Sequence, residues 1–284
     1  MNRKIKHGWQ LLRAHVTNLR YLLRLRGEWL AYRAPASRRD GLTPVISLTS
    51  YPPRFATLHL TLQSLLMQSC GGRVVLWIAD ADIGRLPQQV RVLERSGLEI
   101  RTCDDIRSYK KLVPMLRLEP GATIVTADDD IYYWPTWLEE LMDARVAGVD
   151  EVVCHRMHHM RLGPDGLPLP YAQWEHDSSN SEPDVLNFPT GIGGVLYPAG
   201  IFDPRVLDAA QFMTLCPRGD DIWFYWMARS HGARFRRTAR PRYFHCWQGT
   251  QEVGLWQDNL GANLNDVQIR AMIDALGFFG RTTK

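Results

Sequence analysis

Downstream of Pro44, short apolar, β-rich runs alternate with stretches of helical spacing. Residues 45–49, 74–79, 98–102 and 122–126 predict strands, and residues 58–68, 88–95 and 110–116 predict the helices between them. Right-handed crossovers turn such a series into a mostly parallel sheet flanked by helices, an α/β fold. Ligands of open parallel sheets bind beyond the carboxyl ends of the strands. The residues there are Ser50 to Arg54, then Asp80 and Asp82, then Asp104 and Asp105, then Asp128, Asp129 and Asp130.

Ahead of this pattern, Ile5, Trp9, Leu12, Val16, Leu19 and Leu23 recur at spacings of three and four, which draws one stripe on a helix. Lys4, Lys6, Arg13, Arg20 and Arg24 flank it. Arg13, Arg20, Arg24 and Arg26 interrupt the apolar run, which argues against a signal peptide and a membrane span. A basic amphipathic helix with Trp9 and Trp29 is expected either to lie on an anionic leaflet as a peripheral anchor or to pack on the domain or a second subunit. Residues 33–43, with Pro35, Ser37 and Gly41, read as a linker. The expected organisation is a helical extension over 1–39 and one domain over 44–284.

Composition changes the picture in two ways. The net charge of +4 hides an asymmetry: residues 1–39 hold ten Lys/Arg against Glu28 alone, and the remainder holds 24 Lys/Arg against 29 Asp/Glu. No basic stripe interleaved with aromatics runs through the domain, so nucleic acid is not an expected partner. The five cysteines are odd in number and lack C-x-x-C spacing. They read as reduced thiols of a cytoplasmic protein. No G-x-G-x-x-G follows the first strand, which disfavours a dinucleotide cofactor.

Three consecutive carboxylates leaving a buried strand repel one another unless a positive charge meets them. Mg²⁺ or Mn²⁺ supplies one naturally, because these ions take oxygen ligands from one or two carboxylates together with substrate phosphates. The phosphates would belong to a nucleotide.

Asp128-x-Asp130 resembles the D-x-D motif of the GT-A glycosyltransferases. Gly191, Gly193 and Gly194 resemble their acceptor-side loop, Asp220-Asp221 their acidic pair, and His245 their C-terminal metal-binding histidine, all in the family's order. The stretches 47–54 (SLTSYPPR), 108–111 (SYKK), 126–131 (TADDDI) and 216–224 (CPRGDDIWF) further resemble bacterial transferases of surface-polysaccharide synthesis.

The resemblance implies a GT-A fold and a nucleotide-sugar donor, with a UDP-sugar as the first expectation. It implies a glycan or lipid-linked acceptor; the expected location is cytoplasmic, with the basic helix as the one feature that would make the protein peripheral on the inner face of the plasma membrane. Asp130 would ligate Mn²⁺ or Mg²⁺ with Asp128 and His245, while Asp128 could instead hold the ribose. Asp129 would contact the donor or cap the turn. Ser50, Arg54, Asp80, Asp82, Lys110 and Lys111 are the other expected donor contacts.

Asp221, with Asp220 as alternative, is the expected general base of an inverting transfer. If Asp220 caps the helix that begins there, Asp221 is free. Residues 161–187 are long and polar enough for a lid or a disordered segment, with Tyr171 and Trp174 placed to stack on sugars. Trp247 and Trp256 are the other tryptophans expected at the surface. Rival readings are a nucleotidyltransferase, which would show a basic Gly-rich loop after the first strand, and an inactive scaffold, which would have no need of the acidic set.

Overall fold

A computed structural model of the chain describes residues 3–33, 41–239, 241–250 and 263–278. Trp256 and most of the expected linker lie outside them. Four parallel strands, β1 (Val45–Thr49), β2 (Arg73–Ala79), β3 (Leu98–Cys103) and β4 (Ile124–Ala127), lie in the order β4-β1-β2-β3. Beyond β4 the sheet continues through β9 (Val195–Tyr197), antiparallel to both its neighbours, to β6 (Glu151–Cys154) and β10 (Arg234–Arg237). The architecture is therefore α/β with a mostly parallel sheet, as the sequence predicts.

Helices cover both faces because the strands are apolar on both. Ile46 and Leu48 of β1 pack toward α2 (Phe55–Leu66) and α5 (Trp137–Ala144), whereas Val45 packs with Tyr109 and the helix α7 (Asp220–Ser230). The predicted helix over 88–95 splits into the α-helical Gln88–Arg91 and the 3-10 turn Val92–Ser96, which Gly97 ends with φ 96°. The one over 110–116 likewise forms as the 3-10 turn Arg107–Lys111 followed by α4 (Val113–Leu118). Pro114 in the first turn of α4 has no N–H to give, so a regular helix cannot run back through it.

α1 (Arg3–Ala31) docks through Tyr21, Leu22, Leu25 and Trp29, with Leu25 2% exposed. Burying that leucine contributes roughly 2 kcal/mol. Tyr132, in the short strand β5 (Ile131–Tyr132), donates its hydroxyl to Glu28 Oε2 at 2.7 Å. The stripe read from the sequence is not the docked face: Trp9, Leu12, Val16, Leu19 and Leu23 stand 45–62% exposed.

Two aromatic expectations and one about a loop are corrected. Trp174 is 4% exposed, donates its indole N–H to the Leu169 carbonyl at 2.8 Å and packs on Phe188, so it offers no sugar platform. Trp247 is buried and donates to Thr61 Oγ1 at 2.9 Å. The segment 161–187 is tied down by backbone bonds between His159 and Glu175 and between Met160 and Leu186. Its polarity reflects turns over a packed aromatic floor, not a loose lid.

Candidate functional site

β1 and β4 are adjacent and in register, with Leu48 opposite Ala127, so the residues leaving their carboxyl ends meet. Ser50 donates its hydroxyl to Asp129 Oδ2 at 2.5 Å. Arg54, ending the 3-10 turn Pro52–Arg54, donates to Asp129 Oδ1 at 2.9 Å and pairs with Asp130 Oδ2 at 2.7 Å. A guanidinium thus already meets two of the three acids. Asp129 cross-links the two strand ends and neither caps the turn nor faces outward.

Lys111 closes the turn after β3 and reaches across to α7. Its ammonium lies 2.7 Å from Asp220 Oδ2 and 3.9 Å from Asp221 Oδ1 and is only 8% exposed as a residue. The N-cap of α7 is Gly219, so Asp220 and Asp221 both fall within the first turn and neither serves as the cap. Acids there still gain from the helix dipole. Asp221 Oδ2 accepts the Gly191 N–H at 2.8 Å. A Cβ at Gly191 would sit 2.9 Å from Asp221 Oδ1 and 3.0 Å from Lys111 Nζ, so glycine is what lets the backbone reach this pair.

Burial pushes the Asp221 carboxyl up to about 7; the charge of Asp220 acts in the same direction and Lys111 opposes it. Burial likewise pushes Asp128 up to about 6, against Lys111 and with Asp130 and Asp220. Asp129 and Asp130 are also raised, by burial first, with Arg54 opposing in both. Burial would lower Lys111, but the charges of Asp220, Asp221 and Asp128 outweigh it and hold the ammonium above the ordinary lysine range. Asp128, Asp221 and Lys111 therefore share one electrostatic environment although they come from three separate elements.

Other expected residues fall elsewhere. Lys110 is buried and paired with the exposed Asp105, so it is a strut for its own loop. Asp82 faces Arg85 at 3.5 Å. Asp80 lines a cavity of about 510 Å³ at the ends of β2 and β3 with Trp77, Thr102, Asp104 and Ile106. The Trp77 indole N–H beside it is buried with no partner among the described residues. Nothing in the sequence marked Trp77, because it reads as one more apolar strand residue.

Gly193 and Gly194 serve packing. At Gly193, with φ 89°, a Cβ would meet the Phe244 ring at 2.3 Å, and at Gly194, with φ 97°, it would meet Trp137 Cζ2 at 2.5 Å. Gly194→Ala is expected to destabilise the fold by about 1–3 kcal/mol. Urea unfolding reads this directly, and an unchanged midpoint would show that the loop can shift.

His245, paired with Tyr132 in a two-stranded ribbon, turns its imidazole toward α1. It stacks on Tyr21 at 4.0 Å between centroids and lies 3.3 Å from Asn18 Oδ1. Backbone adjacency is kept, since Trp247 N–H donates to the Asp130 carbonyl at 2.9 Å, but the expected trio Asp128, Asp130 and His245 does not converge. Among the described residues no group of three or more His, Cys, Asp or Glu is arranged to hold a metal. The imidazole therefore stands outside the acid cluster, in which Asp130 already pairs with Arg54 at 2.7 Å. All five cysteines are free, and burial pushes the Cys154 thiol up to about 12.

No family model and no curated protein matches the chain. Among solved structures it is similar to S. aureus TarS 1–349, with 13% identity, a TM-score of 0.49, and coverage of 83% of this chain and 73% of that one. The same protein in complex with UDP gives 13%, 0.48, 83% and 67%. CMP:2-keto-3-deoxy-manno-octonic acid synthetase complexed with CTP gives 11%, 0.39, 69% and 88%. Likeness of this degree leaves the chemistry to be read from the site's own geometry.

Proposed function

We propose that the chain is a GT-A glycosyltransferase that moves a sugar, with inversion, from a nucleotide-sugar donor to a glycan or lipid-linked acceptor of bacterial surface-polysaccharide synthesis. The observation that carries the reading is Asp221. It is a carboxylate at the ligand edge of the sheet, tuned to about 7, oriented by the Gly191 N–H and faced by Lys111. A base with a pKa near the working pH is what proton removal from an acceptor hydroxyl requires.

In the forward step Asp221 takes that proton, the freed oxygen forms the bond to the anomeric carbon, and the bond from that carbon to the diphosphate breaks. Lys111 favours the ionised form of Asp221 against the burial that raises it, and Asp220 screens the charge of Lys111. Asp128 and Asp130 would hold Mn²⁺ or Mg²⁺, which when bound supplies positive charge for the departing nucleoside diphosphate. The donor base suits the cavity at Trp77 and Asp80. From β2 to β4 is two strand spacings, about 10 Å, which a nucleoside diphosphate lying across the sheet edge can bridge.

Thermal unfolding against nucleoside diphosphates and nucleotide sugars, each with and without Mn²⁺, tests the reading. At about 100-fold excess over Kd a selective ligand stabilises by ~2.7 kcal/mol. A Mn²⁺-dependent rise with one nucleotide class, lost in Asp130→Ala, is the expected result. No rise with any of them in folded protein would sink it, and pyrophosphate released from a nucleoside triphosphate and a sugar phosphate would establish a nucleotidyltransferase instead.

A further inference from the structure

α1 has two apolar faces. At 3.6 residues per turn, Leu12, Val16, Leu19, Leu23 and Leu30 fall on the side opposite Asn18, Tyr21 and Leu25. The second set is spoken for: Leu25 is in the core, Tyr21 stacks on His245, and Asn18 lies against His245 and Gln248. The first set, with Trp9 one turn before it, is open to solvent at 45–72% exposed, over about 30 Å of helix. A helix that needed only to pack on its domain would carry polar residues there.

The charges beside the open stripe have one sign. Arg13, Arg20 and Arg24 flank it on one side and Arg26 on the other, all exposed. The single acid of residues 1–39, Glu28, is turned away, held by Arg24 at 2.9 Å and by the Tyr132 hydroxyl. A second copy of this chain, laid stripe to stripe, would oppose arginine with arginine and bring no acid to meet them. An anionic bilayer surface answers both features, since acyl chains take the leucines and lipid phosphates take the guanidinium groups.

We propose that the solvent-facing stripe of α1, Trp9, Leu12, Val16, Leu19, Leu23 and Leu30 with its flanking arginines, seats this protein on an anionic lipid surface while the opposite face stays docked on the domain. α1 contacts Tyr132, two residues after Asp130, so the lipid-facing stripe lies about one helix diameter, ~10 Å, beyond the strand that leaves the acid cluster. The seating surface does not depend on which reaction the site performs.

The test is co-sedimentation of the full chain with phosphatidylglycerol–phosphatidylcholine vesicles and with phosphatidylcholine alone, at low and raised salt. Binding to the anionic vesicles only, weakened by salt, is expected. Leu12→Asp with Leu19→Asp should abolish it with the melting temperature unchanged, because neither side chain is in the core. Arg13→Gln with Arg20→Gln should weaken it by roughly tenfold or more and keeps the test valid if the aspartate variant does not fold. Equal binding to neutral vesicles, no binding to either, or full binding by the arginine variant would overturn the proposal. So would a dimer in sedimentation velocity that Leu19→Asp dissociates without any vesicle binding.

Discussion

Asp221→Asn is expected to lower turnover by roughly 10²–10⁴-fold while leaving donor affinity in place. The amide keeps the volume and still accepts the Gly191 N–H through its oxygen, but it cannot take a proton. The measurement is nucleoside diphosphate released on the nucleotide sugar that the binding screen identifies, with affinity read separately by thermal shift. Wild-type turnover should rise with pH through about 7, because burial first and Asp220 second hold the carboxyl protonated below that value. The variant should lose that limb. A variant retaining more than about a tenth of wild-type turnover would remove Asp221 from the role of base.

Lys111→Ala should give the largest loss of stability, about 3–5 kcal/mol. The pair Lys111–Asp220 is almost wholly enclosed, with side chains 10% and 11% exposed, and Asp221 and Asp128 add negative charge around the same ammonium. Removing the lysine leaves these carboxylates facing each other without their counter-ion. The sign for pH follows from the acids. Asp221 and Asp128 have folded values already raised above the unfolded ones, and without Lys111 both rise further. The variant should therefore be least stable at alkaline pH and recover as the acids are protonated. Lys111→Met combined with Asp220→Asn should regain part of the loss, since it removes the carboxylate closest to the missing ammonium while Asp221 and Asp128 stay without their counter-ion. A loss under about 1 kcal/mol in urea unfolding of the single variant would show that water reaches the pair freely.

The two variants separate functions that the sequence places side by side. Asp220 and Asp221 look equivalent in a run of two acids opening a helix. In the fold Asp220 is the close partner of Lys111, and Asp221 is the more open of the two, with its side chain 31% exposed and held by the Gly191 N–H. The same holds for Asp129, which any reading of three consecutive acids leaves ambiguous and which the structure ties to Ser50 and Arg54.

Local pattern by itself determined the four parallel strands from β1 to β4, because a buried parallel strand must be a short apolar run: β1 occupies residues 45–49 as predicted, β2 and β3 each differ by one residue, and β4 forms at 124–127 instead of 122–126, whereas β6 and β10 of the same sheet carried no such prediction. It also determined which strand ends carry acids, and that residues 1–39 hold a basic helix with an apolar stripe. Tertiary structure alone decided what meets those acids. Arg54 and Lys111 are 75 and 109 positions away from their carboxylate partners Asp129 and Asp220, and only the pairing of β1 with β4 and the packing of α7 bring them within hydrogen-bonding distance. It decided that His245 faces Tyr21, that Trp174 is floor and not platform, and that α1 docks on the face opposite the predicted stripe. Periodicity along one chain segment reports which residues share a side, but the partner of that side is set by contacts between segments, which no local spacing encodes.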